Sequence, residues 1–224
     1  MQPQKNIASI LTQKTWTNPE IRNSKPEDLC DSEDKSIKGW GINESTFINQ
    51  IPDKYKNRTL NNLPDIHPGL IEYGKRWGKK PESLFIHGRY GNGKTSYSFA
   101  LLREMFKYWN YWPRYFTSVD IDAKLLACVT GEGGEEHWLQ FYSEQDILFI
   151  DDFGCENHQG RTQRQYGKII DKRYSENKIT IITSNLNIAQ IGSSLGGRIA
   201  SRFQEWMTLE FTGPDLRKKK TVEI

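Results

Sequence analysis

Gly88-Arg89-Tyr90-Gly91-Asn92-Gly93-Lys94-Thr95 is the stretch on which the reading of this 224-residue chain turns. Its spacing is G-x-x-x-x-G-K-T. Upstream, Leu84-Phe85-Ile86-His87 is a short apolar run suited to a buried strand. Downstream, Tyr97, Ala100, Leu101, Met105 and Tyr108 recur at three- and four-residue steps, the period of one helix face. Glycines at 88, 91 and 93 let the backbone turn tightly between strand and helix and bring N–H groups close to an anion. The helix start adds unpaired N–H donors and a partial positive charge. A loop of this build holds the phosphates of a nucleoside triphosphate. Gly88, Gly91, Asn92, Gly93, Lys94, Thr95 and Ser96 are the expected contacts, with Lys94 reaching the β- and γ-phosphates of ATP and Thr95 holding Mg²⁺.

Working outward, strands and helices alternate over 84–211, the pattern of a parallel sheet with helices on both faces. Pro68 suits the first turn of a helix to Trp77. Arg114–Val119 reads as a second strand, and Asp120 as the N-cap of a helix around Ala123–Val129. Ile147-Leu148-Phe149-Ile150-Asp151-Asp152 is a continuous apolar run ending in two carboxylates, suited to a strand buried on both faces. Asp151 stands where a Mg²⁺-organising carboxylate belongs, and Asp152 where a group can polarise an attacking water. Thr162–Ser175 reads as a helix, and Lys178–Thr183 as a β-branched strand running into Ser184-Asn185. Asn185 at that strand end can touch a γ-phosphate or simply start a turn. In Leu195–Phe203, Arg198 and Arg202 lie four apart and share a helix face. They form either a solvated basic face or a source of charge for a neighbouring subunit's site. Trp206–Phe211 is a last strand, followed by Gly213-Pro214 and a basic run, Arg217–Lys220.

The composition fits one full domain with an appendage. Apolar residues make up 36 % and charged residues 26 %, and a net charge of +3 neither demands nor excludes nucleic acid. Cys30, Cys128 and Cys155 are odd in number and far apart, which argues against a disulfide framework or zinc site and suits a reducing, cytoplasmic setting. The sequence presents neither an apolar signal core at its start nor a membrane-length apolar window. Residues 1–50 are polar, with a short amphipathic stretch over Asn6–Thr15, and read either as a disordered tail or as a partner-docking arm anchored by Trp16, Trp40 and Phe47.

Four blocks in order (88–95, the run to Asp151-Asp152, Thr183-Ser184-Asn185, and Gly197–Phe203) resemble the AAA+ ATPases. Within them the wording is similar to the DnaC/DnaI-type replicative helicase loaders and the IstB-type transposition ATPases, notably Asp151-Asp152-Phe153-Gly154 and Gly213-Pro214-Asp215-Leu216-Arg217. The likeness covers about residues 50–220. It implies an α/β AAA+ P-loop NTPase core, with a five-stranded parallel sheet flanked by helices and no C-terminal lid domain. The expected organisation is an arm over 1–50 and an ATPase domain over 51–224 that ends in a basic tail. Lys94 and Thr95 would be Walker A, Asp151 and Asp152 Walker B, and Asn185 sensor 1. Arg202 would be an arginine finger acting in trans, with Arg198 as second candidate. Asp152 departs from the Glu that many AAA+ proteins carry there. Residues 118–145 would be the helical insertion that helps line a single-stranded DNA path in this group.

The function implied is a slow, DNA-regulated ATPase that forms a homo-oligomer through its ATP interface, binds single-stranded DNA and delivers a replicative helicase. The alternatives are an IstB-type ATPase that assembles on duplex DNA and recruits a transposase, and a module that binds ATP only to hold an assembly together. Lys75, Arg76, Lys79, Lys80 and the tail are available for phosphates; Tyr90, Trp109, Tyr111 and Trp112 can stack on bases, but core packing is the expected role of most of these aromatics.

Overall fold

The apolar runs fold into five strands: β1 (Leu84–Gly88), β2 (Pro113–Thr117), β3 (Ile147–Asp151), β4 (Ile179–Ser184) and β5 (Met207–Phe211). They form one sheet in the order β2-β3-β4-β1-β5, and every pairing is parallel. β3 and β4 sit inside the sheet and are buried at every residue, as unbroken apolar runs require. β5, at an edge, alternates exposed Thr208 and Glu210 with buried Leu209 and Phe211. This computed structural model describes residues 44–63, 67–77, 82–109, 113–128, 134–154 and 160–217. The readings for Asn6–Thr15, Trp16, Trp40, Cys30, Cys155, Lys79, Lys80, Tyr111, Trp112 and Lys218–Lys220 lie outside these residues, as do the side chains of Lys75, Arg76 and Trp109.

Parallel pairing requires a crossover after each strand, and helices supply it. Two helices precede the sheet, α1 (Glu44–Gln50) and α2 (Pro68–Trp77); the crossovers are α3 (Lys94–Trp109), α4 (Ser118–Ala127), α5 (Glu135–Glu144), α6 (Arg161–Ser175), α7 (Ile188–Leu195) and α8 (Gly197–Glu205). The two-residue period of the strands divides their side chains between two cores. Leu84, Ile86, Phe149, Ile181, Leu209 and Phe211 meet α1, α2 and α3 through Phe47, Leu70, Tyr97, Leu101 and Met105. Phe85, Leu148, Ile150 and Ile182 meet α4 to α8 through Ile121, Leu139, Tyr166, Ile169, Ile191 and Phe203. α3 therefore leaves β1 on one face and α6 follows β3 on the other. The chain diverges between them, opening a crevice at the carboxyl ends of the strands, where open α/β sheets take ligands.

Several boundaries differ from the sequence reading. β2 stops at Thr117, and the next helix begins at Ser118 rather than near Ala123. Its N-cap is Thr117, not Asp120. The Thr117 hydroxyl accepts from the Asp120 N–H at 3.1 Å, and the Asp120 carboxylate accepts from the Thr117 N–H at 3.2 Å, a reciprocal capping box. Arg198 and Arg202 share one helix, α8, as their spacing implies. Gly196, at φ +101°, separates α7 from α8, and α7 is closed at its start by an Asn187–Gln190 capping box. Phe47 is not a free anchor, since it is buried and stacked on Phe106 with ring centroids 4.8 Å apart.

Arg173 of α6 is fully buried. Its Nε donates to Thr180 Oγ1 at 2.9 Å. Its Nη1 donates to the carbonyls of Tyr142, Ser143 and Gln145 at 3.2, 3.0 and 2.6 Å, and its Nη2 to that of Ile179. The side chain thus closes the carboxyl end of α5, whose last carbonyls have no partner within the helix, and ties it to β4. Burial lowers its pKa to about 9, against the pull of Asp146 and Glu176.

Candidate functional site

The glycine loop joins the end of β1 to the start of α3, and two of its glycines are required by close approach. Gly88 has φ +144°, and a Cβ there would lie 2.1 Å from the Phe211 carbonyl oxygen. Gly91 has φ +79°, and a Cβ there would lie 1.9 Å from Asp215 Oδ1. Lys94 folds back over the loop, only 5 % exposed. Its Nζ donates to the carbonyls of Gly88 and Arg89 at 2.8 and 2.9 Å, and to Asn185 Oδ1 at 2.9 Å. The amine therefore bridges the loop and the end of β4, bringing together two residues 91 apart in sequence.

Thr95, the next residue, donates through Oγ1 to Asp151 Oδ1 at 2.9 Å. Thr183 of β4 donates to the same oxygen. Asp151 is 4 % exposed. Burial raises its pKa to about 6; the hydrogen bond from Thr183 opposes this, the neighbouring Asp152 charge adds to it, and Thr95 opposes it again. A carboxylate so withdrawn from water gains strongly from a cation. Mg²⁺ asks for one or two carboxylates and otherwise takes water and phosphate oxygens. The Thr95 hydroxyl and Asp151 fit that demand, and among the described residues there is no larger cluster of metal-binding side chains that would suggest another ion.

Asp152 leaves the strand in the left-handed region at φ +54°, where Asp is better tolerated than most residues. Two contacts hold it there: its N–H donates to Thr183 Oγ1 at 3.1 Å, and its carbonyl accepts from Ser118 Oγ at 2.9 Å. The turn sends Asp152 away from Asp151 and into a cavity of about 640 Å³. Thr183 thus links the Asp151 carboxylate to the Asp152 N–H, a role hidden in the sequence because a threonine in a β-branched run reads only as strand.

Residues 91–96, Asp152 and Asn185 line that cavity. Its far walls were not legible in the sequence. Lys54, Tyr55, Arg58 and Leu63 line one side, coming from a short 3₁₀ turn (Asp53–Tyr55) and the loop after it, which carry no periodic signal. Leu216 and Arg217 line another. The Leu216 N–H donates to the Gly91 carbonyl at 2.9 Å, and Asn92 Nδ2 donates to that of Phe211, so the segment after β5 runs against the glycine loop. Neither Arg198 nor Arg202 lines the cavity of its own protomer. Arg198 Nε lies 2.6 Å from Asp171 Oδ2, and Arg202 Nε 3.3 Å from Asp171 Oδ1. No described helix is long and apolar enough to cross a membrane.

A parallel β2-β3-β4-β1-β5 sheet, with a glycine loop after β1, paired carboxylates after β3 and an asparagine after β4, defines a P-loop ATPase core of the AAA+ type. The chain belongs to the family of IstB-like ATP binding proteins, whose model matches residues 73–202, more than half its length. The chromosomal replication initiator protein DnaA of Thermoanaerobacter sp. (strain X514) is 27 % identical over 200 residues, covering 84 % of this chain and 45 % of the relative. DnaA of Limosilactobacillus fermentum is 28 % identical over 144 residues, covering 63 % and 32 %. The chain thus spans less than half the length of these curated relatives. In fold it is similar to the DnaC helicase loader (TM-score 0.64, 22 % identity, covering 72 % of this chain and all of that one) and to DnaI (0.62, 22 %, covering 76 % and 99 %). It is also similar to DnaA bound to AMPPCP and single-stranded DNA (0.60, 23 %, covering 71 % and 50 %).

Proposed function

We propose that this chain is an ATP-hydrolysing helicase loader: it oligomerises through its ATP interface, binds single-stranded DNA and delivers a replicative helicase. The observation that carries the ATPase reading is the convergence of Lys94 with Asn185 and of Thr95 with Asp151. Lys94, already turned toward the loop, exchanges carbonyl partners for phosphate oxygens. Thr95 and Asp151 hold Mg²⁺, which when bound neutralises charge on the phosphates. Asp152, exposed at the cavity, orients water, and Asn185 keeps its place beside Lys94. Arg202, with Arg198 beside it, supplies positive charge to the next protomer's site. Residues 118–145 contribute α4 and α5 to the DNA path, and the chain before α1 is the docking arm.

The loader reading is supported by the likeness to DnaC and DnaI over nearly their whole crystallised chains. The family match favours a second reading, an IstB-type ATPase that recruits a transposase on duplex DNA. Pull-down with a replicative helicase and with a transposase separates the two: capture of the transposase alone refutes loading. Removal of residues 1–43, which leaves Phe47 in the core, should abolish helicase capture. ATP turnover should rise with single-stranded DNA and be lost in Asp152→Asn and Arg202→Ala; unchanged turnover in both refutes the assigned roles. An Arg202→Ala protomer mixed with a Lys94→Ala protomer should regain turnover.

A further inference from the structure

We propose that Asp171 is a positioning residue that presents Arg198 and Arg202 together, as a paired guanidinium, to the triphosphate of the neighbouring protomer. This rests on the reading that these arginines act in trans. Asp171 comes from α6 and the arginines from α8, one helical turn apart. One carboxylate oxygen faces each: Oδ2 forms an ion pair with Arg198 Nε at 2.6 Å, and Oδ1 accepts from Arg202 Nε at 3.3 Å. The Arg202 guanidinium also lies 4.2 Å from the centre of the Tyr174 ring, and the Tyr174 hydroxyl donates to Glu205. Arg202 is therefore fixed on two sides, with its side chain 28 % exposed, while Arg198 stands out at 75 %.

Three features favour presentation over plain surface pairing. Both arginines meet Asp171 through Nε, the inner nitrogen. The outer Nη pair of each fork is the part that binds phosphate bidentately. Two guanidiniums share one carboxylate, which leaves the Asp171–Arg198–Arg202 group with excess positive charge. The Arg198 side of the group is largely exposed and such pairing returns little stability, so folding alone gives weak reason to add a second like charge to an acid already paired with Arg202. The carboxylate offsets their repulsion and fixes their spacing, so a neighbour's γ-phosphate would meet both forks already oriented. Asp171 does not line its own protomer's cavity.

The test uses the full chain with Asp171→Asn, the charge-retaining Asp171→Glu and, as a second neutral variant should the first fold poorly, Asp171→Ser. The neutral variants should lose about ten- to a hundredfold in kcat, the range expected when a catalytic group is displaced by about an ångström. Binding of a fluorescent ATP analogue to isolated protomers should stay at the wild-type level, and Asp171→Glu should recover most of the turnover. In oligomers verified by light scattering, Asp171→Asn mixed with Lys94→Ala should regain turnover, because the first contributes an intact phosphate loop and the second an intact arginine pair. Wild-type kcat in both neutral variants overturns the proposal. So does an unrescued Asp171→Asn mixture where Arg202→Ala with Lys94→Ala is rescued. Failure of both mixtures overturns action in trans, and this inference with it.

Discussion

Replacing Asp151 by Asn should make the nucleotide-free protein more stable at neutral pH while ending ATP hydrolysis. Burial raises the Asp151 pKa from an ordinary 3.8 to about 6. Well below pH 4 the group is protonated in both folded and unfolded states and contributes no difference. Between about pH 4 and 6 the unfolded chain ionises while the folded site resists, so stability falls as pH rises, and above pH 6 the penalty is complete. Two units at 1.36 kcal/mol each give about 3 kcal/mol. The amide oxygen of Asn can still accept from Thr95 and Thr183, so the substitution removes the charge and keeps the acceptor. Urea unfolding of both proteins, without Mg²⁺ or nucleotide, should show curves that coincide at about pH 3 and separate to about 3 kcal/mol by pH 7. By heat this corresponds to about 6–12 °C for a chain of this size. Asp146, also raised by burial, is common to both proteins and cancels in the difference. With Mg²⁺ and ATP present the gap should narrow or reverse, because a ligand that binds the wild-type fold more tightly stabilises it more. Parallel pH profiles, or a variant less stable than wild type at pH 7, would refute the assignment of a buried, strained charge at Asp151.

Gly91→Ala places a Cβ against Asp215 in a backbone that L residues avoid, and should weaken ATP binding at least about tenfold, as followed by titration with a fluorescent analogue. Arg173→Met strips the donor from three buried carbonyls, one part-buried carbonyl and Thr180, so urea unfolding should show a loss of at least about 3 kcal/mol. Thr183→Val removes the hydrogen bond that opposes the rise in the Asp151 pKa. The acid limb of the kcat–pH profile should therefore move to higher pH, alongside a fall in kcat. Thr117→Ala opens the α4 capping box and should destabilise by about 1 kcal/mol in the same unfolding assay.

What the sequence made legible was what local chemistry dictates. The glycine loop, the apolar runs of β3 and β4 and the periodic face of α3 each signal themselves, and together they lead to the parallel sheet. Asp151 and Asn185 could be placed because each follows such a run directly. The reading failed where a second segment decides. Thr117 rather than Asp120 caps α4, because β2 ends at Thr117 and each of the two side chains accepts from the other's N–H in a reciprocal box. Thr183 looks like any strand threonine until β3 lies beside it. Lys54, Arg58 and Leu216 gain meaning only when segments far apart in the chain meet at the glycine loop.

The contact of Leu216 with Gly91 also has a mechanical side. Between Phe211 and Leu216 the chain leaves the sheet and is stitched to the phosphate loop at each end, once by Asn92 and once by Gly91. A pull or a load on the chain beyond Leu216 meets that single hydrogen bond before it meets any strand. Tension there acts on the loop's shape, and a loop clamped on phosphate must in turn grip the segment harder, by the same free energy in both directions.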